Sequence, residues 1–465
     1  MRHRVWFGSR LRMVCTVSCW LSFTGVGRAC VLAAPEATDD VVRYVVERDG
    51  EHAHDGRRGS LNYPGMVQRL LDQIWYPPAN PSGLTELEVS AGRVLGQGRG
   101  PSLIPDPTTH PIAALRDLAR TLLASPPCVI AFSGGRDSSA LLAEFVGVAR
   151  REGLDEPIAA TARWDDDDAS DESSWQEHVV RTVGVANWEI VRPGNDLDLL
   201  GPQATGALEQ VGLMWPAPAY VNLPLIRLAT GGSFVSGEGG DEAFGLWEYE
   251  PLWSALRAHR LPRLSQLRGL ALGCSPRSVR RRRWAGHLPQ FETWLRPEAR
   301  SRLVDAVADE YAGEPMRWDD YLAYGRRSRA RERTEETLGQ LCSMHGTQFA
   351  APFLERTFLA ALGAWGGAFG KGDRTAVMTA LFADVLPGPV MARTSKATFG
   401  GVFWGPSSRR FANSWDGSGF DDSTVDADAL RRAWLDPVPI FASALPLHAA
   451  WLHHHSQRAD DGSSG

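Results

Sequence analysis

Apolar positions along this chain follow two different periods, and the alternation between them predicts an α/β protein. Cys128-Val-Ile-Ala-Phe132 is an unbroken apolar run, the pattern of a strand buried on both faces of a parallel sheet. It ends at Ser133-Gly134-Gly135, and Ala140, Leu141, Leu142 and Phe145 then supply the stripe of an amphipathic helix that starts near Asp137 and Ser138. Pro157 to Trp164 is a second strand candidate, 172–183 a helix, Val185 to Val191 a third strand, and Ser233-Phe-Val another short one. Ile112 to Leu123 has helical spacing and leads into the first strand. This βαβαβ order predicts a doubly wound parallel sheet, whose ligands sit at the carboxyl ends of the strands.

The pattern breaks up on the N-terminal side. Residues 41 to about 110 alternate short apolar patches with Gly, Pro and Asn. Val41–Val46 fits a strand or a helix, Met66–Trp75 has helical spacing, and Pro77 to Gly83 is a turn-rich break. Val89–Leu95 is expected as a strand, Gly96–Pro101 as a loop and Pro105–Pro111 as a linker. The expected organisation is a small irregular α+β domain over 1–110, a large domain over 111–452 and an unstructured tail over 453–465, which opens with His453-His-His455. Near the start, Arg2, Arg4, Arg10 and Arg12 precede a stretch that imitates a secretory signal, but Thr, Ser and Gly dilute it and Arg28 interrupts it. Strands of the N-terminal domain, or a start codon assigned too early, are the readings preferred there. No apolar run approaches membrane-spanning length.

Composition narrows the classes. At 465 residues with 43% hydrophobic content, the chain can bury a large core. A net charge of −6 gives no reason to expect nucleic acid as the main partner. Six cysteines without CxxC spacing read as reduced and cytoplasmic, not as a disulfide framework or zinc site. Seventeen tryptophans suit either a closed groove for a bulky ligand or ordinary core packing.

Three stretches carry chemistry. At Ser133-Gly-Gly-Arg-Asp137-Ser-Ser139, strand, glycine turn and helix N-terminus make an anion site with a carboxylate beside it. It lacks the span and the Lys-Ser/Thr ending of a Walker loop. At Ser236-Gly237-Glu238-Gly-Gly-Asp241-Glu242, a strand again ends in glycines, now with three acids close together, which repel unless a cation neutralises them. The third stretch runs from Ser343-Met-His345-Gly346 through Pro352-Phe353-Leu354-Glu355 to Lys371, Arg374, Leu386-Pro387, Arg393 and Lys396. Two further features have plainer readings. Asp165–Asp168 with Asp171 and Glu172 reads as a solvated loop capping the next helix in preference to a metal site, and Arg277–Arg283 as a solvated helix face in preference to a partner surface.

The first stretch resembles the SGGxDS loop of the ATP pyrophosphatase superfamily, with Arg136 at the usually apolar position. The second resembles the SGEGADELFG motif of asparagine synthetases, and the third their MxHGxExRxPFLD and LPxxVxxRxKxxF segments, with Gln348 for Glu and Glu355 for Asp. The resemblance implies an ATP pyrophosphatase-type sheet with extra C-terminal helices. It also implies ATP and Mg2+, adenylation of a carboxylate, release of pyrophosphate and amide formation. It places Ser133, Gly134, Gly135, Asp137, Ser138, Ser236 and Gly237 on the nucleotide, Asp137 and Asp241 on the metal, and Glu238 and Lys396 at the reacting centre. Asparagine synthetases begin with a catalytic Cys after Met, whereas this chain begins Met1-Arg2-His3, so ammonia from glutamine is not expected. β-Lactam synthetases carry Tyr where Glu238 stands. The run from Thr398 through Trp404, Trp434 and Trp451 is similar to lasso peptide macrolactam cyclases, ribosomal-peptide modifying enzymes. That resemblance implies a precursor peptide as substrate, with a leader-binding protein and a leader protease as partners. An amidotransferase or β-lactam synthetase acting on a small molecule is the alternative, and a non-catalytic scaffold a further one.

Overall fold

The computed structural model describes residues 83–98, 102–163, 171–193, 197–245, 247–288, 292–393 and 403–463. The expected elements at 41–46 and 66–75, the signal-like stretch, the acidic run 165–168 and Lys396 lie outside the described residues. In chain order, the elements that position the site begin with α1 (Glu86–Ala91), α2 (Pro111–Leu123), β1 (Cys128–Ala131) and α3 (Arg136–Glu152). β2 (Ile158–Ala162), α4 (Ser173–Val183), β3 (Trp188–Val191), β4 (Ser233–Val235) and the short α5 (Gly240–Phe244) follow. Then come α6 (Arg277–Ala285), α7 (Pro297–Tyr311), α8 (Trp318–Arg326), α9 (Arg329–Ser343), β5 (Gln348–Ala350), α10 (Arg374–Phe382) and α11 (Ala444–Ser463).

All five strands run parallel in the order β3-β2-β1-β4-β5. The expected α/β doubly wound sheet of the ATP pyrophosphatase type is therefore present. Successive residues of β1 point to opposite faces. Val129 joins a core with Phe234, Leu341 and Trp434, while Cys128 and Ile130 join another with Leu141, Phe353 and Phe382. Both faces are covered, which is why the strand sequences read as unbroken apolar runs. The chain leaves β1 toward β2 and β3 on one side and returns to β4 on the other. The strand order thus reverses between β1 and β4, the place where such sheets open a crevice at the strands' carboxyl ends.

Several expectations need correction. Residues 89–91, expected in a strand, belong to helix α1, because Thr85 and Glu88 form a capping box in which Glu88 accepts from Thr85 N at 2.8 Å and Thr85 Oγ1 accepts from Glu88 N at 3.2 Å. Residues 83–98, read from sequence as part of a separate N-terminal unit, pack into the common core through Leu84, Val89, Val94 and Leu95. Helix α3 starts at Arg136, one residue ahead of the expected start, with Gly135 as its N-cap and Asp137 in its first turn. Strand β5 had no sequence signal, being three residues long with Gln348 exposed. The tail expected to be unstructured continues α11 as far as Ser463, and His455 stacks on Trp451 one turn back with centroids 4.8 Å apart. Finally, Trp247, Trp294, Trp318, Trp404, Trp415 and Trp434 are buried core residues, so much of the tryptophan content builds the core and not a groove.

Candidate active site

The first glycine stretch leaves β1 at the strand's carboxyl end. Gly134 takes φ +80°, a backbone state open to glycine, and a Cβ there would press within 2.9 Å of Gln176. Ser133 and Ser138 close the loop on itself: their hydroxyls are 3.2 Å apart, and Gly135 N donates to Ser133 Oγ at 3.2 Å. Two side chains from elsewhere hold it, and one of its own reaches out. Gln176 of α4 donates to Ser133 O at 3.3 Å, Arg393 donates to Gly134 O at 2.9 Å, and Arg136 donates to Met391 O at 3.3 Å. Arg393 is itself pinned by Glu172 and lies 5.0 Å over the Trp175 ring. The acidic stretch before α4 therefore contributes a buried anchor as well as a cap, since Asp171 accepts from Ser173 N at 2.8 Å.

The second glycine stretch leaves β4, the neighbour of β1, with Cys128 opposite Ser233 and Ile130 opposite Val235. Two motifs a hundred residues apart in sequence thus meet side by side. Gly237 faces the start of α3, where a Cβ would sit 3.4 Å from Ser138 N. Gly240 lies against Asp137, and a Cβ there would fall within 2.7 Å of its Oδ1. Glycine at these two points lets the loops touch. Ser236 Oγ accepts from Glu238 N at 3.2 Å, which turns the chain into the acidic segment.

Asp137 and Asp241 are brought together, and Arg374 at the start of α10 ion-pairs with both. Burial opposes charge on that guanidinium, but the two carboxylates prevail and hold its pKa above the usual range. Asp137 Oδ1 is buried and has no hydrogen-bond partner. In this structure Arg374 supplies the positive charge between the two carboxylates, and the partnerless Asp137 oxygen is a donor atom left over for a cation. Among the described residues no group of three His, Cys, Asp or Glu could hold a metal ion. Two carboxylates are what Mg2+ takes when phosphate oxygens complete its shell. The residues present are compatible with such an ion.

Glu238 stands beside this pair. Burial first, then the charges of Glu242 and Asp241, push its carboxyl well above the ordinary carboxylate range, against the pull of Arg331. It lines a narrow cavity of about 30 Å³ with Trp215, Glu242, Arg331 and Phe441, room for about one water. Arg331 of α9 pairs with Glu242 at 2.9 Å, so the third acid of the motif is neutralised by protein.

The structure thus gathers Ser133, Gly134, Gly135, Asp137, Ser138, Ser236, Gly237, Glu238 and Asp241 at one crevice. Lys371 points elsewhere, 5.2 Å over the Trp365 ring. The roles of Arg374, Arg393, Gln176 and Arg331 were not legible as local signals. Of these, only Arg374 and Arg393 fell within stretches already marked by their register with the glycine motifs.

Residues 114–457, more than half of the chain, match the family model described as asparagine synthase. No curated protein matches the chain.

Proposed function

The chain belongs to the asparagine synthase family, which forms amides at the expense of ATP, and on that premise we propose that it is a macrolactam cyclase of the lasso-peptide type. In this reading an Asp or Glu side-chain carboxylate of a precursor peptide attacks the α-phosphorus of ATP and expels pyrophosphate. The peptide's N-terminal amine then attacks the acyl carbon, and AMP leaves with the former carboxylate oxygen. One amide bond forms and one proton is released.

The observation that carries the activation half is the meeting of the two glycine loops at the carboxyl ends of β1 and β4. The loop Ser133 to Ser138 and the first turn of α3 offer backbone N–H groups to the pyrophosphate. Ser236 and Gly237 complete the wall. Mg2+, held by Asp137 and Asp241, would neutralise the departing charge. Glu238, with its raised pKa, is suited to take the proton that the amine loses. Lys396 lies outside the described residues, and its assignment to the developing charge rests on register with the family motif. The peptide as source of the amine is supported by the C-terminal run similar to lasso cyclases, and by Glu238 standing where β-lactam synthetases carry Tyr. The same reading brings a leader-binding protein and a leader protease as partners, and a cytoplasmic site of action where ATP is at hand. Among the described residues no helix is long and apolar enough to cross a membrane.

Mass spectrometry of the cognate precursor, incubated with the chain, its maturation partners, ATP and Mg2+, tests this reading. The expected product is lighter by one water and blocked to N-terminal sequencing. A linear peptide alongside asparagine made from aspartate and ammonia would establish the small-molecule alternative, and absence of any ATP turnover would leave a scaffold.

A further inference from the structure

Behind the reaction centre lies another cavity, of about 210 Å³, that the chemistry above does not use. Its walls are aromatic: Trp284 and Tyr311 stack with ring centroids 4.6 Å apart, and Tyr321 and Tyr324 complete the lining. Five charged groups also face it. Arg331 is paired with Glu242 at 2.9 Å, and Arg326 with Glu335 at 3.0 Å. Glu248 and Glu314 have no ion-pair partner among the described residues; Glu314 Oε1 accepts only the Glu248 backbone N–H, at 3.2 Å. Glu248 is solvent-exposed, and Arg280 and Arg283 of α6 lie near enough to favour its charge, but Arg280 donates to the Glu314 carbonyl, at 3.4 Å, and not to its carboxylate. An uncharged polar group, Gln97, lines the same space with both amide atoms buried and without a partner.

Two carboxyl groups without an ion-pair partner, an amide without a hydrogen-bond partner and ring faces are together complementary to a cation with an apolar stem. The volume exceeds the roughly 150 Å³ that holds a benzene-sized guest, so a single side chain fits. Glu242, Arg331 and Leu354 belong to the walls of both this cavity and the one beside Glu238, so a guest here would lie just across the Glu242–Arg331 pair from the reacting groups.

We propose that this cavity is a subsite for an organic monocation, a guanidinium or ammonium on a short apolar stem. Its use by a peptide side chain rests on the cyclase reading; the binding site itself does not. Burial of Glu314 pushes its carboxyl up to about 8, a strain that an entering cation would relieve.

The test is isothermal titration calorimetry without ATP, so that its outcome is independent of turnover. The probes are n-butylguanidinium and Nα-acetyl-arginine methylamide, with n-pentanol and Nα-acetyl-norleucine methylamide as neutral counterparts. Both cations, or the free one alone, should bind at least tenfold tighter than their neutral partners. Binding of the acetyl-arginine probe identifies a peptide source, and binding of butylguanidinium alone a free small cation. The double variant Glu248→Gln/Glu314→Gln should lose at least tenfold in cation affinity while keeping its circular dichroism spectrum, and Trp284→Ala should weaken both cations. Equal binding of cations and neutrals, or undiminished cation binding by the folded double variant, overturns the proposal.

Discussion

At the scale of single residues, the site depends on charges that are stable only in company. Asp137 and Asp241 share Arg374, and Asp137 keeps one buried oxygen without a partner. Replacing either aspartate by asparagine keeps the shape but removes a charge from the proposed cation site. ATP-dependent pyrophosphate release should fall by about 100-fold or more, the scale of losing one preorganised electrostatic contact, with unchanged circular dichroism. Undiminished release in either variant would remove the metal assignment. Glu314 gives a separate pH signature. Its folded carboxyl titrates at about 8 against an ordinary 4.5, so between those values the folded state holds a proton that the unfolded state has lost. Glu314 therefore costs stability progressively as pH rises through that window. In urea melts, Glu314→Gln should match the parent near pH 4.5 and become the more stable protein as pH approaches 8. A difference that stays constant with pH would contradict the shift.

At the scale of elements, the glycine loops work because distant segments brace them. Arg393 joins Gly134 O, Glu172 and the Trp175 ring, and so ties the β1–α3 loop to α4. Both members of the ion pair are buried, with side chains 5% and 9% exposed. Arg393→Ala would break this buried ion pair, at a cost of about 3–5 kcal/mol. The expected outcome is a lower chemical-denaturation midpoint together with a raised KM for ATP; a change in stability alone would make Arg393 a plain core anchor. The glycine turn, helix start and acid cluster were legible because each is a local contrast between apolar strand and polar turn. The brace was not, since Arg393 lies 259 residues from the carbonyl it holds.

At the scale of the whole molecule, the segment 83–98 belongs to the core of the large domain. Glu88 is 1% exposed and pairs with Arg329, Trp294 donates to Ser90 O at 2.7 Å, and Gly96 N donates to Glu310 at 3.2 Å. A chain begun at residue 111 would lose the burial of Leu84, Val89, Val94 and Leu95. At about 1.5–3 kcal/mol for each side chain, the loss approaches the whole stability of a typical domain, about 5–15 kcal/mol. Such a fragment is expected to show no cooperative thermal transition by circular dichroism. A transition matching that of the longer chain would restore the domain boundary drawn from sequence at 110.

What the amino-acid order determined alone was local. Apolar runs specified β1, β2 and β4, and glycines at their ends marked turns where a helix N-terminus could meet an anion. Acids beside those glycines called for positive charge, part of which Arg374 and Arg331 supply. These signals survive without the fold because backbone conformation and burial period are properties of neighbouring residues. Tertiary structure decided which turns meet, since strand order places β4 directly beside β1 although about a hundred residues separate them. It also decided that the buried tryptophans fill the core, and that Glu248 and Glu314 face an aromatic cavity without an ion-pair partner. Each of these depends on contacts between residues far apart in the chain, whose free energy exists only once the sheet has brought them together.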